Sequence, residues 1–274
     1  MYKNLGAAAL AAALLLGISA ASAAELMPDY GQVPTGWSVD RYAPAGFSNL
    51  GTVNGMNNVL GISISSDQDA ANRGGQNASF YNTQGEFHSI TGGMGDSLTA
   101  ELYVPGSWAN ASNGARRTDM WGEIGNQGDF PVIGFTNDNG VDAFAGFRTF
   151  NDVTGLWTDL SNAVNYNGWN TLSIVDDGTN FDYFVNGVAA GSIVVSDTTD
   201  PFSEVLMQAY NFGDPSLFPN AVVNDYTGMW ANVGSAVAAP EPTALTIFGG
   251  GLLVLLTLGT LGRRKTIEAS ALAA

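Results

Sequence analysis

The sequence predicts an all-β protein, built as an antiparallel sandwich of two sheets. Residues 25–239 contain 28 glycines and 23 asparagines, the two residue types that best tolerate the positive φ angles of tight hairpins. Five Asn-Gly pairs and one Asp-Gly pair separate short runs in which apolar and polar residues alternate. This region has no apolar stripe of helical spacing longer than two turns. Alternating runs between tight turns therefore favour strands over helices.

The alternating runs predict a dozen or so strands that cover most of residues 25–239. Their spacing favours a sandwich over a helical or α/β domain. Because no segment repeats at a fixed period, a solenoid or a propeller is not expected. The expected strands are 36–42, 58–65, 79–81, 87–90, 97–104, 117–124, 132–137, 142–150, 169–176, 181–185, 189–195, 203–212 and 226–233.

The alternation of apolar and polar residues at even and odd positions (the parity) of three of these strands predicts which side chains face the core. The even positions of 97–104 and 117–124 are mostly apolar, and so are the odd positions of 203–212. Successive side chains of a strand alternate between the two faces of its sheet, so the remaining positions face outward. If the three strands share a sheet, one outer face carries Glu101, Tyr103, Arg117, Asp119, Trp121, Glu123, Gln208 and Tyr210.

Such a face has the composition of a sugar-binding surface. Aromatic rings stack on the apolar C–H faces of sugars, and planar polar groups bind their hydroxyls. An ordinary solvated sheet face with an aromatic residue at its rim has the same composition. The sequence leaves both interpretations open.

Residues 1–24 have the features of a secretory signal peptide. Lys3 supplies the positive charge, residues 5–18 form an apolar run, and Ala21 and Ala23 provide a small-residue cleavage site. An uncleaved anchor is the alternative, but this apolar run is short for a membrane span.

The C-terminal region combines three features that together indicate a membrane segment with a fixed orientation. These are the tripeptide Pro240-Glu241-Pro242, the uncharged stretch 243–262, and the basic cluster Arg263-Arg264-Lys265. As a helix, the uncharged stretch is about 30 Å long, the thickness of a hydrocarbon core. The positive-inside rule keeps the basic cluster cytoplasmic and places the rest of the chain across the membrane. The signal peptide predicts the same topology.

This order of features resembles the PEP-CTERM sorting signal of Gram-negative bacteria. The resemblance implies processing near Pro-Glu-Pro by an exosortase, a membrane protease-transpeptidase, and export in bacteria that make extracellular polysaccharide. The tail is longer than usual, and an ordinary C-terminal anchor is the alternative. The expected divisions are a signal peptide (1–24), a sandwich (25–234), a tether (235–239), a sorting signal (240–265) and a cytoplasmic tail (266–274).

A second resemblance concerns the fold. The stretch 168–174 (GWNTLSI), followed by 181–187 (FDYFVNG), is similar to the concanavalin A-like jelly roll, particularly its laminin-G-like branch. In that branch a tryptophan opens one strand and a Y-x-V-N-G hairpin closes the next. The resemblance covers about 60 residues and implies a jelly-roll sandwich, but not a function.

Composition excludes several kinds of site. The 274-residue chain has no cysteine and one histidine, which excludes disulfides, thiolate metal sites, cysteine nucleophiles and multi-histidine metal centres. Residues 25–239 contain 23 acidic residues, five arginines and no lysine, a formal net charge of −18. Such a surface repels nucleic acid and other polyanions unless a divalent cation bridges them. We therefore expect no nucleic-acid partner.

The acidic residues do not match a known glycosidase pattern. Glycanases of the concanavalin A-like fold share a Glu-x-Asp-x-(x)-Glu strand motif, which is absent from the sequence. Asp119 and Glu123 share a strand face but lie about 13 Å apart by strand rise, too far for either glycosidase geometry. A pairing of Asp119 with Glu101 stays open. His88 is more typical of a surface residue than of a catalytic base. We expect a protein that is not an enzyme.

Two clusters of oxygen donors in turns are candidate calcium sites, Asp67 with Asp69 and Asp138 with Asp142. Neither matches the complete D-x-D-x-D-G loop, and Asp also favours turns for backbone reasons. Calcium stays an open alternative, and no other cofactor is expected.

The combined expectation is an exported, exosortase-processed protein of the cell surface or extracellular matrix. Its sandwich binds glycans, in association with exopolysaccharide or biofilm, and its precursor is anchored in the inner membrane. A secreted glycan-active hydrolase or lyase of the same fold is one alternative. A structural matrix protein without a ligand is the other.

Overall fold

The structure is a computed structural model that describes residues 24–25, 36–73, 82–90, 97–125, 130–138, 144–194 and 200–236. Within these residues the regular elements are fifteen strands and four 3₁₀ helices of three or four residues. The strands are β1 (Ala24–Glu25), β2 (Trp37–Val39), β3 (Gly46–Asn49), β4 (Leu60–Ile64), β5 (Thr83–Ser89), β6 (Ser97–Val104), β7 (Arg117–Ile124), β8 (Val132–Thr136), β9 (Gly146–Asn151), β10 (Leu156–Asp159), β11 (Gly168–Asp176), β12 (Asn180–Val185), β13 (Val188–Val194), β14 (Phe202–Tyr210) and β15 (Tyr226–Ala236). The 3₁₀ helices are Ser66–Gln68, Ala70–Asn72, Gly106–Ala109 and Ala111–Asn113.

The strands form two antiparallel sheets. Sheet I has the order β13-β12-β11-β6-β15-β4-β3, with β1 paired to β15. Sheet II has the order β10-β9-β8-β7-β14-β5-β2. The described region is thus an all-β, two-sheet antiparallel sandwich almost without helix, which confirms the predicted class and is consistent with a jelly roll.

One hydrophobic core lies between the sheets. Every even-numbered side chain of β6 is buried in it, as are Met120 and Ile124 of β7 and Val205, Met207 and Ala209 of β14. The parity predicted for these three strands is confirmed. Each large apolar side chain removed from water contributes about 1.5–3 kcal/mol, so this alternation specifies which face of each strand is buried.

Asn-Gly pairs close tight turns where the sequence predicts them. Asn186 (φ 53°) and Gly187 (φ 75°) connect β12 to β13. Asn54 (φ 47°) and Gly55 (φ 82°) close a small bridged hairpin. Positive φ at both central residues matches the right-handed twist of antiparallel strands.

Several boundaries differ from the expected ones. The strands β1, β3 and β10 have two to four residues, too few to show an alternating pattern. The strand β5 begins at Thr83, four residues before its expected start. The expected strand 79–81, residues 1–23 of the signal peptide and the whole sorting signal and tail lie outside the described residues. Among the residues that are described, no helix has the length and apolar character needed to span a membrane.

Candidate functional site

Six of the eight side chains of the predicted glycan face lie together on the outer face of sheet II. The strands β7 and β14 are neighbours, with Asp119 opposite Gln208 and Trp121 opposite Leu206. Because their core-facing residues alternate with outward-facing ones, the two strands place six side chains on one face of sheet II: Arg117, Asp119, Trp121, Glu123, Gln208 and Tyr210. Trp121 and Glu123 are partly exposed there, whereas the other four are buried.

The other two side chains lie elsewhere. The strand β6 belongs to sheet I, where Glu101 is opposite Thr171 and Tyr103 is opposite Trp169. Both therefore lie on the outer face of the opposite sheet, and Glu101 does not meet Asp119. Parity shows which side of its own sheet a residue faces, but it does not show which sheet the strand joins.

A cleft of about 550 Å³ opens on the outer face of sheet II. Its volume is within the usual range for small-ligand sites, about 300–1,000 Å³. Three arginines and three of its seven aromatic residues define what we call the arginine cleft. They are Arg41, which follows β2, Arg117 and Trp121 of β7, Arg148 of β9, Trp157 of β10, and Tyr210 of β14.

Arg117 is fixed at the floor of the arginine cleft. Its Nε donates a hydrogen bond of 2.6 Å to Oδ2 of Asp119, which is two residues away on the same face of β7 and fully buried. Its guanidinium carbon lies 4.3 Å from the centroid of the Trp157 ring and 5.0 Å from that of Tyr210. An ion pair and two cation–π contacts hold the guanidinium in one orientation.

Arg148 lies beside Arg117 and is more deeply enclosed than its charge would suggest. Its guanidinium carbon is 3.9 Å from the Trp157 ring centroid, and only 5% of the residue is exposed. Burial, assisted by the positive charge of Arg117, lowers the pKa of Arg148 to about 9. Among the described residues, no acceptor lies within hydrogen-bond distance of its Nε.

Arg41 forms one wall of the arginine cleft. Its Nη2 is 2.7 Å from Oδ2 of Asp40 and donates to Oε1 of Gln208 at 2.5 Å. The Gln208 amide in turn donates to Asp40, which closes a three-residue polar ring. The guanidinium stands 4.5 Å from the centroid of Trp121. Burial lowers the pKa of Arg41 and raises that of Asp40, although their mutual attraction opposes both shifts.

Strand β15 of sheet I supports the floor of the cleft from behind. The hydroxyl of Tyr226 lies 2.7 Å from the carbonyl oxygen of Arg117 and 2.6 Å from that of Tyr210. Nε1 of Trp230 donates to Oγ1 of Thr118, which donates to the carbonyl oxygen of Gln208. Burial raises the pKa of Tyr226, so its hydroxyl stays protonated. These bonds fix the backbone of β7 and β14 beneath the arginines.

A pair of carboxylates lies on the same face, beyond Trp121. Glu123 and Glu204 are opposite each other on β7 and β14. Burial and the negative charge of Glu204 raise the pKa of Glu123. Oγ of Ser89 donates to Oε1 of Glu204 at 3.4 Å. A neighbouring negative charge disfavours ionisation, so Glu123 keeps its proton to a higher pH than an isolated glutamate.

The candidate calcium ligands are dispersed. Asp69 is buried, and its carboxylate accepts hydrogen bonds from the amides of Ala71 and Asn72, as the cap of a 3₁₀ helix. Asp138 lines the arginine cleft, Asp67 is exposed, and Asp142 lies outside the described residues. Within the described ranges, no three His, Asp or Glu side chains are grouped to hold a metal ion. Calcium binding stays a prediction.

Sequence patterns alone do not predict Arg41, Arg148 or Trp157 as site residues. Trp157 lies on the four-residue strand β10, too short to show a pattern. The scarcity of basic residues is a signal that could have pointed to the arginines. Residues 25–239 contain only five arginines and no lysine, so each arginine is a candidate for a specific role.

No protein-family model matches the chain, and no curated protein matches its sequence. Similar solved structures include a sialidase, with 12% identity over 80% of this chain and a TM-score of 0.49. This chain spans 19% of the length of that sialidase. A glycoside hydrolase family 16 endo-glucanase from Bacteroides ovatus is 12% identical, with a TM-score of 0.45. Its alignment covers 71% of this chain and 92% of the endo-glucanase chain. The carbohydrate-binding module CBM66 from Bacillus subtilis is 12% identical, with a TM-score of 0.39. Its alignment covers 73% of this chain and 95% of the CBM66 chain. These likenesses concern the sandwich alone.

Proposed function

We propose that the protein binds glycans, and that the arginine cleft is the site. The observation that carries this proposal is the convergence of three guanidinium groups and three aromatic rings in one cleft of about 550 Å³. Planar hydrogen-bond donors recognise sugar oxygens, and aromatic residues contact the apolar edges of sugar rings. The rigid sheet beneath them keeps these groups ordered without a ligand, which reduces the entropic cost of binding.

The proposal also includes the destination of the protein. The two terminal patterns support export, anchoring in the inner membrane and processing by an exosortase, followed by a role at the cell surface or in an extracellular matrix. A protein in that setting meets polysaccharide, so the predicted destination and the proposed ligand agree.

Glycan binding is tested with the purified full-length protein on a glycan array, followed by affinity electrophoresis in gels that contain the polysaccharides detected. Trp157→Ala removes the ring beneath two arginines, and we expect it to abolish retardation. Trp169→Ala is the matched control, because Trp169 is also a half-buried tryptophan on a strand but lies on the outer face of sheet I. Equal loss in both variants, or no binding by the parent protein, would contradict the proposal.

A glycan hydrolase or lyase is the second candidate, and the Glu123–Glu204 pair is the observation that favours it. Acid–base cleavage of a glycan uses two carboxyl groups, and the raised pKa of Glu123 suits the one that donates a proton. If the protein is such an enzyme, it releases reducing ends from a bound polysaccharide. Glu123→Gln then abolishes the release, and Glu101→Gln, on the opposite sheet, leaves it unchanged. If the parent protein binds a polysaccharide but releases no reducing ends, glycan binding without cleavage is the remaining function.

A further inference from the structure

The positive charge of the described sandwich is concentrated at one place. Residues 25–239 contain five arginines and no lysine against 23 acidic residues, yet three of the five arginines line the arginine cleft. On so acidic a protein, this grouping gathers most of the guanidinium groups in one cleft, beside the carboxylates of Asp40, Asp119 and Asp138. Guanidinium groups bind the charged oxygens of an anionic ligand more strongly than neutral hydroxyls.

Arg148 is the arginine of the cleft that forms no ion pair with a described residue. The two ion pairs of the cleft, Arg117–Asp119 and Arg41–Asp40, do not include it. Asp119, Asp159 and Asp138 attract its charge, and Arg117 opposes it. Arg148 is nevertheless 95% buried, and its Nε lacks an acceptor within the described part of the chain. Burying a cation without a full set of acceptors is costly, and an anionic group entering the cleft would supply them.

The rings of Trp157 and Trp121 act mainly as supports for the arginines. Guanidinium groups stand 3.9 and 4.3 Å from the centroid of Trp157 and 4.5 Å from that of Trp121. A ring whose face is covered by a guanidinium is less available for stacking on a sugar. The same contact fixes the fork of the arginine, which suits planar, two-point recognition of an anion.

We propose that the arginine cleft selects acidic glycans, and that Arg117 and Arg148 bind the carboxylate or sulfate group of one sugar unit. This inference rests on the proposed glycan-binding function and adds the chemical class of the ligand. Arg148 supplies a guanidinium group that forms no ion pair with a described residue, whereas Arg117, held by Asp119, supplies a second guanidinium group in a fixed position. Carboxylate and sulfate share the same chemistry here, since both present charged oxygens to a guanidinium fork.

The test compares polymers that differ in charge but not in backbone. The full-length protein is titrated with polygalacturonate and with its fully methyl-esterified form, and separately with dextran sulfate and with dextran. If an acidic polymer binds, we expect its affinity to be at least about tenfold higher than that of its neutral counterpart, because charge-assisted hydrogen bonds are about twice as strong as neutral ones. Binding of only one acidic polymer identifies the group as carboxylate or as sulfate.

Two variants test the residues. Arg148→Met keeps the length of the side chain but removes its charge and donors, and we expect it to lose the preference for the acidic polymer. Arg148→Lys keeps the charge without the fork and should retain part of the preference. Arg73→Met removes one positive charge outside the cleft, where Arg73 stacks on Tyr42, and should leave the preference intact.

The outcomes separate this inference from the proposed function. If neutral and acidic polymers bind equally, or if Arg148→Met keeps the full preference, the inference is wrong while glycan binding stands. If no polymer binds the parent protein in these titrations or on the glycan array, both are wrong.

Discussion

At Arg148, folding places a charged group where it has few partners. The unfolded chain keeps the ordinary pKa of 12.5, and burial in the folded state lowers the pKa to about 9. The unfolded state therefore binds more protons between these values, so stability rises as the pH increases from about 9 towards 12.5. Below pH 9 the folded state carries the full penalty of a buried cation. This side chain is therefore expected to serve binding rather than folding.

We predict that Arg148→Met stabilises the protein in the absence of ligand. Replacing a buried charge by a well-packed apolar group is often stabilising by about 1–4 kcal/mol, and we expect a gain in this range in the free energy of unfolding at pH 7. Urea titration followed by tryptophan fluorescence measures it. Arg148→Lys keeps the charge and should give no such gain. A loss of stability in Arg148→Met would show that Arg148 contributes to folding.

Glu86 is a second buried charge, on the core side of sheet II. It lies on β5 opposite Met207 and Val39, and Oε2 has no hydrogen-bond partner among the described residues. Burial raises the pKa of Glu86 above its ordinary value of 4.5. A raised carboxyl pKa favours the folded state below 4.5, and this contribution is lost as the pH rises through the folded-state value.

We predict that Glu86→Gln makes the protein more stable than the parent at pH 7 but not at pH 4. The amide cannot ionise, so the variant avoids a penalty that the parent has only at the higher pH. Urea titrations of both proteins at the two pH values give the comparison. The same difference at pH 4 and pH 7 would show that ionisation of Glu86 is not its cause.

At the scale of the elements, the pairing of β7 with β8 determines the position of Asp119. Gly134 of β8 is opposite Asp119, and a Cβ at residue 134 would overlap the Asp119 carboxylate and the carbonyl oxygen of Thr118. The absence of a side chain on β8 thus leaves space for the carboxylate that orients Arg117.

We predict that Gly134→Ala weakens glycan binding and lowers the free energy of unfolding by about 1–3 kcal/mol, the usual cost of overpacking. Gly191→Ala, on β13, is the matched control, because the nearest atom to its new Cβ would be 3.9 Å away. Calorimetric titration and urea unfolding of both variants measure the effects. Equal effects of the two substitutions would contradict the role assigned to Gly134.

The sequence predicted strand faces well and sheet membership poorly. Alternation in β7 and β14 correctly separated core residues from outer ones, and these two strands supply Arg117, Trp121 and Tyr210. The same reasoning grouped Glu101 and Tyr103 with them, because alternation contains no information about which strands become neighbours. Arg148 and Trp157 enter the site only through the order β10-β9-β8-β7, which long-range pairing determines.

For the whole molecule, the fold class could be predicted because turn chemistry and alternation are local. A net charge of −18 over residues 25–239 is also a property of the sequence alone, and it affects how an acidic ligand approaches. At long range the protein repels a polyanion, whereas the attraction to the buried arginines is of short range. Salt screens exposed, distant charges more strongly than close, buried ones.

We therefore predict that the association rate with polygalacturonate rises when the salt concentration increases from about 10 mM to about 150 mM. Over this range the electrostatic screening length falls from about 30 to about 8 Å, so the long-range repulsion weakens. Surface plasmon resonance with the immobilised protein measures the rate. A methyl-esterified control should show no such increase. A rate that falls with salt would mean that attraction dominates the encounter.

A crystal structure of the protein with its preferred acidic oligosaccharide tests whether the arginine cleft holds the glycan. We predict a sugar unit on the outer face of sheet II, with its anionic oxygens within hydrogen-bond distance of Arg148 and Arg117. The outer face of sheet I offers a rival aromatic surface, where the rings of Tyr103 and Trp169 lie 5.4 Å apart. An oligosaccharide bound there, with the arginine cleft empty, would contradict the account.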